Sequence, residues 1–116
     1  MKRRRAERGG RRAERLAAWW LRLKGWHILA VRARTPVGEV DLIARRGHVL
    51  AFIEVKARAT EADAALALDE FRLRRVLRAA EALTPRFMRE GDTVRVDAMF
   101  VTPWRRPRHM TNVSQL

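Results

Sequence analysis

Residues 38–46 (GEVDLIARR) and 49–58 (VLAFIEVKAR) are two apolar runs of strand length with only Gly47 and His48 between them. That spacing specifies an antiparallel hairpin, because two-residue connections are the commonest way to join strands whose twist must match. With Arg46 facing Val49 across the turn, counting back brings Ile53 opposite Leu42 and Glu54 opposite Asp41. Side chains directly across an antiparallel pair have Cβ atoms about 5 Å apart. Period-two alternation then places Glu39 and Lys56 on the face that carries Asp41 and Glu54. A one-residue slip of the turn would make the two carboxylates diagonal neighbours and leave them on that same face. Ile43, Leu50 and Phe52 share the face, while Val40, Leu42, Ala44, Val49, Ala51, Ile53 and Val55 occupy the other. Both faces therefore read as covered. A covered sheet is a costly place for ionisable groups unless something compensates them.

The rest of the chain supplies the cover. Apolar residues Ala13, Leu16, Ala17 and Trp20 recur at helical spacing from about Arg11 to Lys24, and Gly25 supplies a stop. Residues 1–8 read as a basic arm, with Gly9 and Gly10 at the helix entrance. Residues 26–34 have strand composition, ended by TPVG. A second amphipathic helix is expected over 61–83, closed near Thr84 and Pro85. Residues 93–101 alternate strictly and predict a strand, from whose apolar side Asp97 faces away, toward an arginine partner. The tail from Thr102 carries at most a short edge strand. The expected architecture is one α/β domain over 9–116, a small mixed central sheet flanked by helices in the order α-β-β-β-α-β.

The chain has 116 residues, no cysteine, and three histidines (His27, His48, His109) that lack metal-ligand spacing, which excludes a disulfide framework and a thiolate zinc site. No apolar run approaches a membrane span, so a cytoplasmic protein is the expectation. The net charge is +13, and it is regional: residues 1–36 hold twelve Lys/Arg against two Glu, whereas residues 61–92 hold six against seven acids. A clustered charge of this size points to a polyanion, with DNA the leading partner and RNA not excluded. Arg3, Arg4, Arg5, Arg11 and Arg12 are the candidate backbone contacts in the first region. Trp104, Arg105 and Arg106 form a second, where an aromatic among arginines suits a nucleobase and a packed tail is the equal alternative. Trp19, Trp20 and Trp26 read as core or interface anchors. A basic amphipathic helix also suits an anionic membrane surface, but that account gives the hairpin no role. Self-association as a homodimer is left open.

Two carboxylates directly opposed in a covered sheet repel unless one is protonated or a cation sits between them. Mg²⁺ or Mn²⁺ takes oxygen ligands from one or two carboxylates and keeps room for water and a phosphate. A metal site is favoured over a structural ion pair on this basis. Glu39, nearer the strand start, reads as an outer partner or a solvated end.

The order Glu14, Asp41, then Glu54-Val55-Lys56 resembles the PD-(D/E)XK nuclease core. More closely, GEVDLIARRGHVLAFIEVKAR with the upstream Glu14 resembles an uncharacterised bacterial family of small restriction-endonuclease-like proteins, called YraN-like, over about residues 10–101. The resemblance implies a restriction-endonuclease-like fold. It also implies metal ligation by Asp41, Glu54 and the Val55 carbonyl, with Lys56 acting on the attacking water and Glu14 closing the site. Phosphodiester hydrolysis in DNA, branched or damaged DNA included, is the implied activity, and it needs no covalent nucleophile. The chain has no Tyr or Cys, and its one Ser is Ser114. Two departures stand out: Val40 occupies the place of the superfamily's proline, and Arg72, a candidate phosphate contact, stands where relatives tend to carry a lysine on the second helix. The competing expectation is a non-catalytic nucleic-acid-binding module that keeps the fold. On local spacing alone, Glu14 would be a solvated partner of Arg11 or Arg15.

Overall fold

A computed structural model describes residues 2–60 and 70–113, and the side chains of residues 10–60 and 73–113. The elements run α1 (Lys2–Leu23), β1 (His27–Thr35), β2 (Gly38–Arg46), β3 (Val49–Ala57), α2 (Glu70–Phe87), β4 (Thr93–Val101) and β5 (Arg108–Met110). One mixed sheet results, with strands in chain order. Neighbours are antiparallel except β3 and β4, and this parallel pair is joined by the crossover that contains α2. The expected order of elements is therefore present, with β5 as the short edge strand, and the architecture is compatible with a restriction-endonuclease-like α/β fold. No helix among the described residues is long and apolar enough to cross a membrane.

Each face of the sheet has its own core. Ala13, Ala17, Ala18 and Leu21 of α1 pack on Leu42, Ala44, Ala51, Ile53 and Met99. Val76, Ala79, Ala80 and Leu83 of α2 pack on Ile43, Leu50, Phe52, Val96 and Phe100. Leu42, Ile43, Leu50, Phe52 and Ile53 are wholly buried, and each large side chain so placed stabilises the fold by about 1.5–3 kcal/mol. Hairpin register follows the sequence expectation from Arg46↔Val49 to Leu42↔Ile53, with Gly47 at φ 61° in the turn. Close packing of α2 needs Gly38, where a Cβ would come within 3.0 Å of the Arg75 carbonyl oxygen.

Four local expectations differ. The first helix begins at Lys2 rather than near Arg11, so Gly9 and Gly10 lie inside it; each costs about 1 kcal/mol relative to Ala, against a run of good helix formers. The second helix continues through Pro85 to Phe87. Pro85 sits in the last turn, where little helix remains to be broken, and Thr84 Oγ1 donates to the Ala80 carbonyl at 2.7 Å while Met88 N donates to Thr84 O at 2.8 Å. The start of that helix as expected, 61–69, lies outside the described residues. Trp26 is core, whereas Trp19, read as a core or interface residue, is 57% exposed and outside the core. Finally, Val40 packs with the α2 core while Leu42 and Ala44 pack with the α1 core, so strict alternation fails at Asp41.

Two buried ionic networks tie the sheet ends. Asp97 is wholly buried and has the expected arginine, Arg95, at 3.0 Å, together with His109 Nε2 at 2.7 Å and the Asn112 N–H at 2.8 Å. Burial alone would raise its pKa, but these donors outweigh it and hold the carboxyl below its ordinary value. Arg45 reaches Asp92 at 2.7 Å and the Phe87 carbonyl at 2.8 Å, tying the hairpin to the end of α2.

Candidate functional site

Asp41 sits where both of its ladders are interrupted. Toward β1 the pairs Val31↔Leu42 and Ala33↔Val40 bracket the Arg32/Asp41 position, and Arg32 adopts φ 55°, a left-handed conformation that costs a non-glycine residue about 1–2 kcal/mol. Toward β3 the ladder ends at Leu42↔Ile53. One step further, Asp41 Oδ2 accepts the Val55 N–H at 2.7 Å, so a side chain takes the place of a backbone acceptor and fixes the carboxylate against β3. This kink accounts for the reversal of Val40.

Glu54 and Lys56 follow on β3 as neighbours on one side of the strand, and the Lys56 ammonium donates to Glu54 Oε1. Their side chains are 17% and 11% exposed. Asp41 is raised from its ordinary value to about 7, first by burial and next by the negative charge of Glu54; the Val55 N–H opposes the rise, Glu14 adds to it, and Lys56 reduces it. Among the described residues, the one fully buried side-chain polar atom without a partner is Arg45 Nε. Neither Asp41 Oδ1 nor Glu54 Oε2 has a hydrogen bond among the described residues.

Glu14 is not the solvated partner of Arg11 or Arg15. Its Oε2 accepts Arg32 Nε at 2.8 Å, with the Glu14 side chain 12% exposed. Arg32 is thus a residue of the site that sequence reasoning missed, because nothing in RART foretells a left-handed arginine. Glu39 is exposed and 3.9 Å from Arg34, at the strand end. Among the described residues no three His, Cys, Asp or Glu side chains gather as a metal cluster. What lies together instead is two carboxylates, Asp41 and Glu54, close enough for the charge of one to act on the other. Oxygen donors of this number fit a hard divalent cation that retains waters and a phosphate, rather than zinc.

Two arginine-lined grooves flank α1. One, of about 750 Å³, lies between α1 and β1 and is lined by Arg11, Arg15, Arg22 and Arg32 beside Glu14. The other, of about 930 Å³, is lined by Arg12, Trp19, Arg58, Trp104, Arg105 and Arg106 among others. Arg11 and Arg12, adjacent in sequence, therefore serve different grooves. The side chains of Arg3, Arg4, Arg5 and Arg72 lie outside the described residues.

The model of the uncharacterised protein family UPF0102 matches residues 13–101. A UPF0102 protein of Rhizorhabdus wittichii is 62% identical over 108 residues, covering 93% of this chain and 92% of the relative. One from Sphingopyxis alaskensis is 61% identical over 110 residues, 95% of each. A third, from Erythrobacter litoralis, is 51% identical over 115 residues, 99% of each.

Proposed function

The chain belongs to UPF0102, the YraN-like family that the hairpin motif resembles, and on that premise we propose that it is a Mg²⁺- or Mn²⁺-dependent endonuclease hydrolysing phosphodiesters in DNA. The observation that carries this reading is the meeting of Asp41, Glu54 and Lys56 where β2 and β3 part. Each carboxylate there has one oxygen engaged by the protein and one with no hydrogen bond among the described residues. Asp41, Glu54 and the Val55 carbonyl would hold the cation, whose chemistry is to place positive charge against the scissile phosphate and to make water a nucleophile at neutral pH.

The protein's own groups do the rest. The Val55 N–H orients Asp41, so its free oxygen is held by a strand and not by a loop. Lys56 neutralises Glu54 in the resting site and carries a proton donor for charge that grows on the phosphoryl oxygens. Arg32 offsets Glu14, which otherwise adds to the negative charge acting on Asp41. Residues 37–60 hold four basic against three acidic groups, too even a balance to draw in a polyanion; the arginines of the flanking grooves supply that attraction.

The test is nicking of duplex, single-stranded and junction DNA, and of RNA, with Mg²⁺, with Mn²⁺ and with chelator. Metal-dependent cleavage abolished by Asp41→Ala and by Lys56→Ala supports the enzyme. Salt-sensitive binding that neither substitution changes, with no cleavage of any substrate, supports a non-catalytic nucleic-acid-binding module.

A further inference from the structure

We propose that the groove between α1 and the ends of β3 and β4 binds an unpaired DNA strand, with bases stacked on Trp19 and Trp104 and phosphates on Arg12, Arg58 and Arg106. This rests on the nuclease reading for its meaning, and it specifies the substrate class: DNA with single-stranded nucleotides beside the cleaved bond. The groove lies past the carboxyl ends of the parallel pair β3/β4, the side of an open α/β sheet where ligands bind. Its wall at Ala57 and Arg58 directly follows Lys56 in the chain.

The lining identifies the occupant. Leu16 and Trp19 are half exposed and Trp104 fully so, and arginines surround them. Among the described residues no carboxylate lines this groove. Flat apolar surfaces within a cationic rim complement a ligand that alternates flat apolar faces with anions, which is what unpaired nucleotides are. A duplex hides those faces in its stack.

Trp104 adds a second line of argument. Thr102-Pro103-Trp104-Arg105 has the features of a type II turn: proline second, a positive φ of 64° third, and the Arg105 N–H reaching the Thr102 carbonyl at 3.4 Å. The third position favours glycine, and a bulky residue there is strained. The chain places its most exposed tryptophan at that position, where the indole is fully exposed. A structural role would be served better by Gly.

Equilibrium binding of the full chain to fluorescein-labelled dT12, to an abasic oligomer of equal length and to a blunt 20-base-pair duplex, in EDTA so that no cleavage intervenes, tests the assignment. Trp19→Ala and Trp104→Gly should each weaken dT12 binding by roughly 5- to 100-fold, leave duplex binding within about twofold, and leave abasic binding unchanged. Trp104→Gly should melt no lower than the parent, which removes unfolding as an explanation. Equal affinity for dT12 and the abasic oligomer would overturn the proposal, since charge alone would then account for binding. So would a shift in sedimentation from dimer to monomer in either tryptophan variant, which would make the groove an interface between copies. Because nothing is cleaved in EDTA, loss of the stacking effect refutes the groove alone, whereas absence of nicking by the metal-loaded parent refutes the nuclease reading alone.

Discussion

Arg32, held at φ 55° in the middle of an edge strand, donates its Nε to Glu14 Oε2 at 2.8 Å. The left-handed backbone and the ion pair belong together, since the arginine lies at the ladder position opposite Asp41 and reaches α1. Arg32→Ala should lower stability by about 1–3 kcal/mol, because it strands a mostly buried carboxylate. Arg32→Gly loses the same pair but relieves the backbone, so it should be about 1 kcal/mol the milder of the two. Adding Glu14→Gln should recover part of either loss. Urea denaturation of the set decides; equal costs for Ala and Gly would show that the left-handed conformation carries no strain.

Asp41 gives a pH dependence with a definite sign. Its folded pKa of about 7 lies above the ordinary 3.8, so the folded chain holds this proton more tightly than the unfolded one. The contribution to stability is harmless below about pH 4, becomes a growing cost as pH rises, and is complete above about pH 7. In chelator, Asp41→Asn should match the parent near pH 4 and exceed it by a few kcal/mol at pH 8. A difference that is constant from pH 4 to 8 would rule this out.

Asp97 behaves in the opposite way. Its folded pKa is held low despite full burial, so it stabilises the fold above the ordinary carboxylate pKa and that contribution is lost as pH falls through the lowered value. Removing it with Asp97→Ala leaves Arg95 and His109 without their shared acceptor and should cost about 3–5 kcal/mol at pH 7. The proposed phosphodiester cleavage, per folded molecule, should be unaffected, which a denaturation curve and an activity assay on one sample would establish.

The hairpin and β4 were legible because their determinants are local: a two-residue turn sets register, and strict alternation in 93–101 marks the strand. The pairing of Asp97 with an arginine followed from the same alternation. What escaped the sequence depends on tertiary contact. Arg32 is left-handed because Glu14, 18 residues upstream, receives it. Val40 turns to the α2 face because Asp41 spends its side chain on the Val55 N–H. Trp19 has the composition of a core residue, yet the helical phase of α1 buries Ala17, Ala18 and Leu21 in its place. Glycine in a helix is a small cost that neighbouring helix formers outweigh, and proline in a last turn leaves little helix to break, so neither marks a boundary reliably.

Attraction and chemistry should separate by mutation. Arg11 and Arg15 line the groove beside Glu14 and are exposed, so replacing both with Ala removes up to two phosphate contacts. The slope of log affinity against log salt should flatten by about two, with binding weakened across all sequences and calorimetric Mg²⁺ or Mn²⁺ affinity unchanged. Glu54→Gln should do the reverse. It removes one of the two carboxylates that face the proposed cation and releases Lys56 from its partner, so divalent binding should vanish while the salt slope persists and DNA affinity holds or rises slightly. If Glu54→Gln retains full metal affinity, the cation is not held at the hairpin and the division of roles fails; an unaltered slope in the double arginine variant would show that this groove does not carry the DNA backbone.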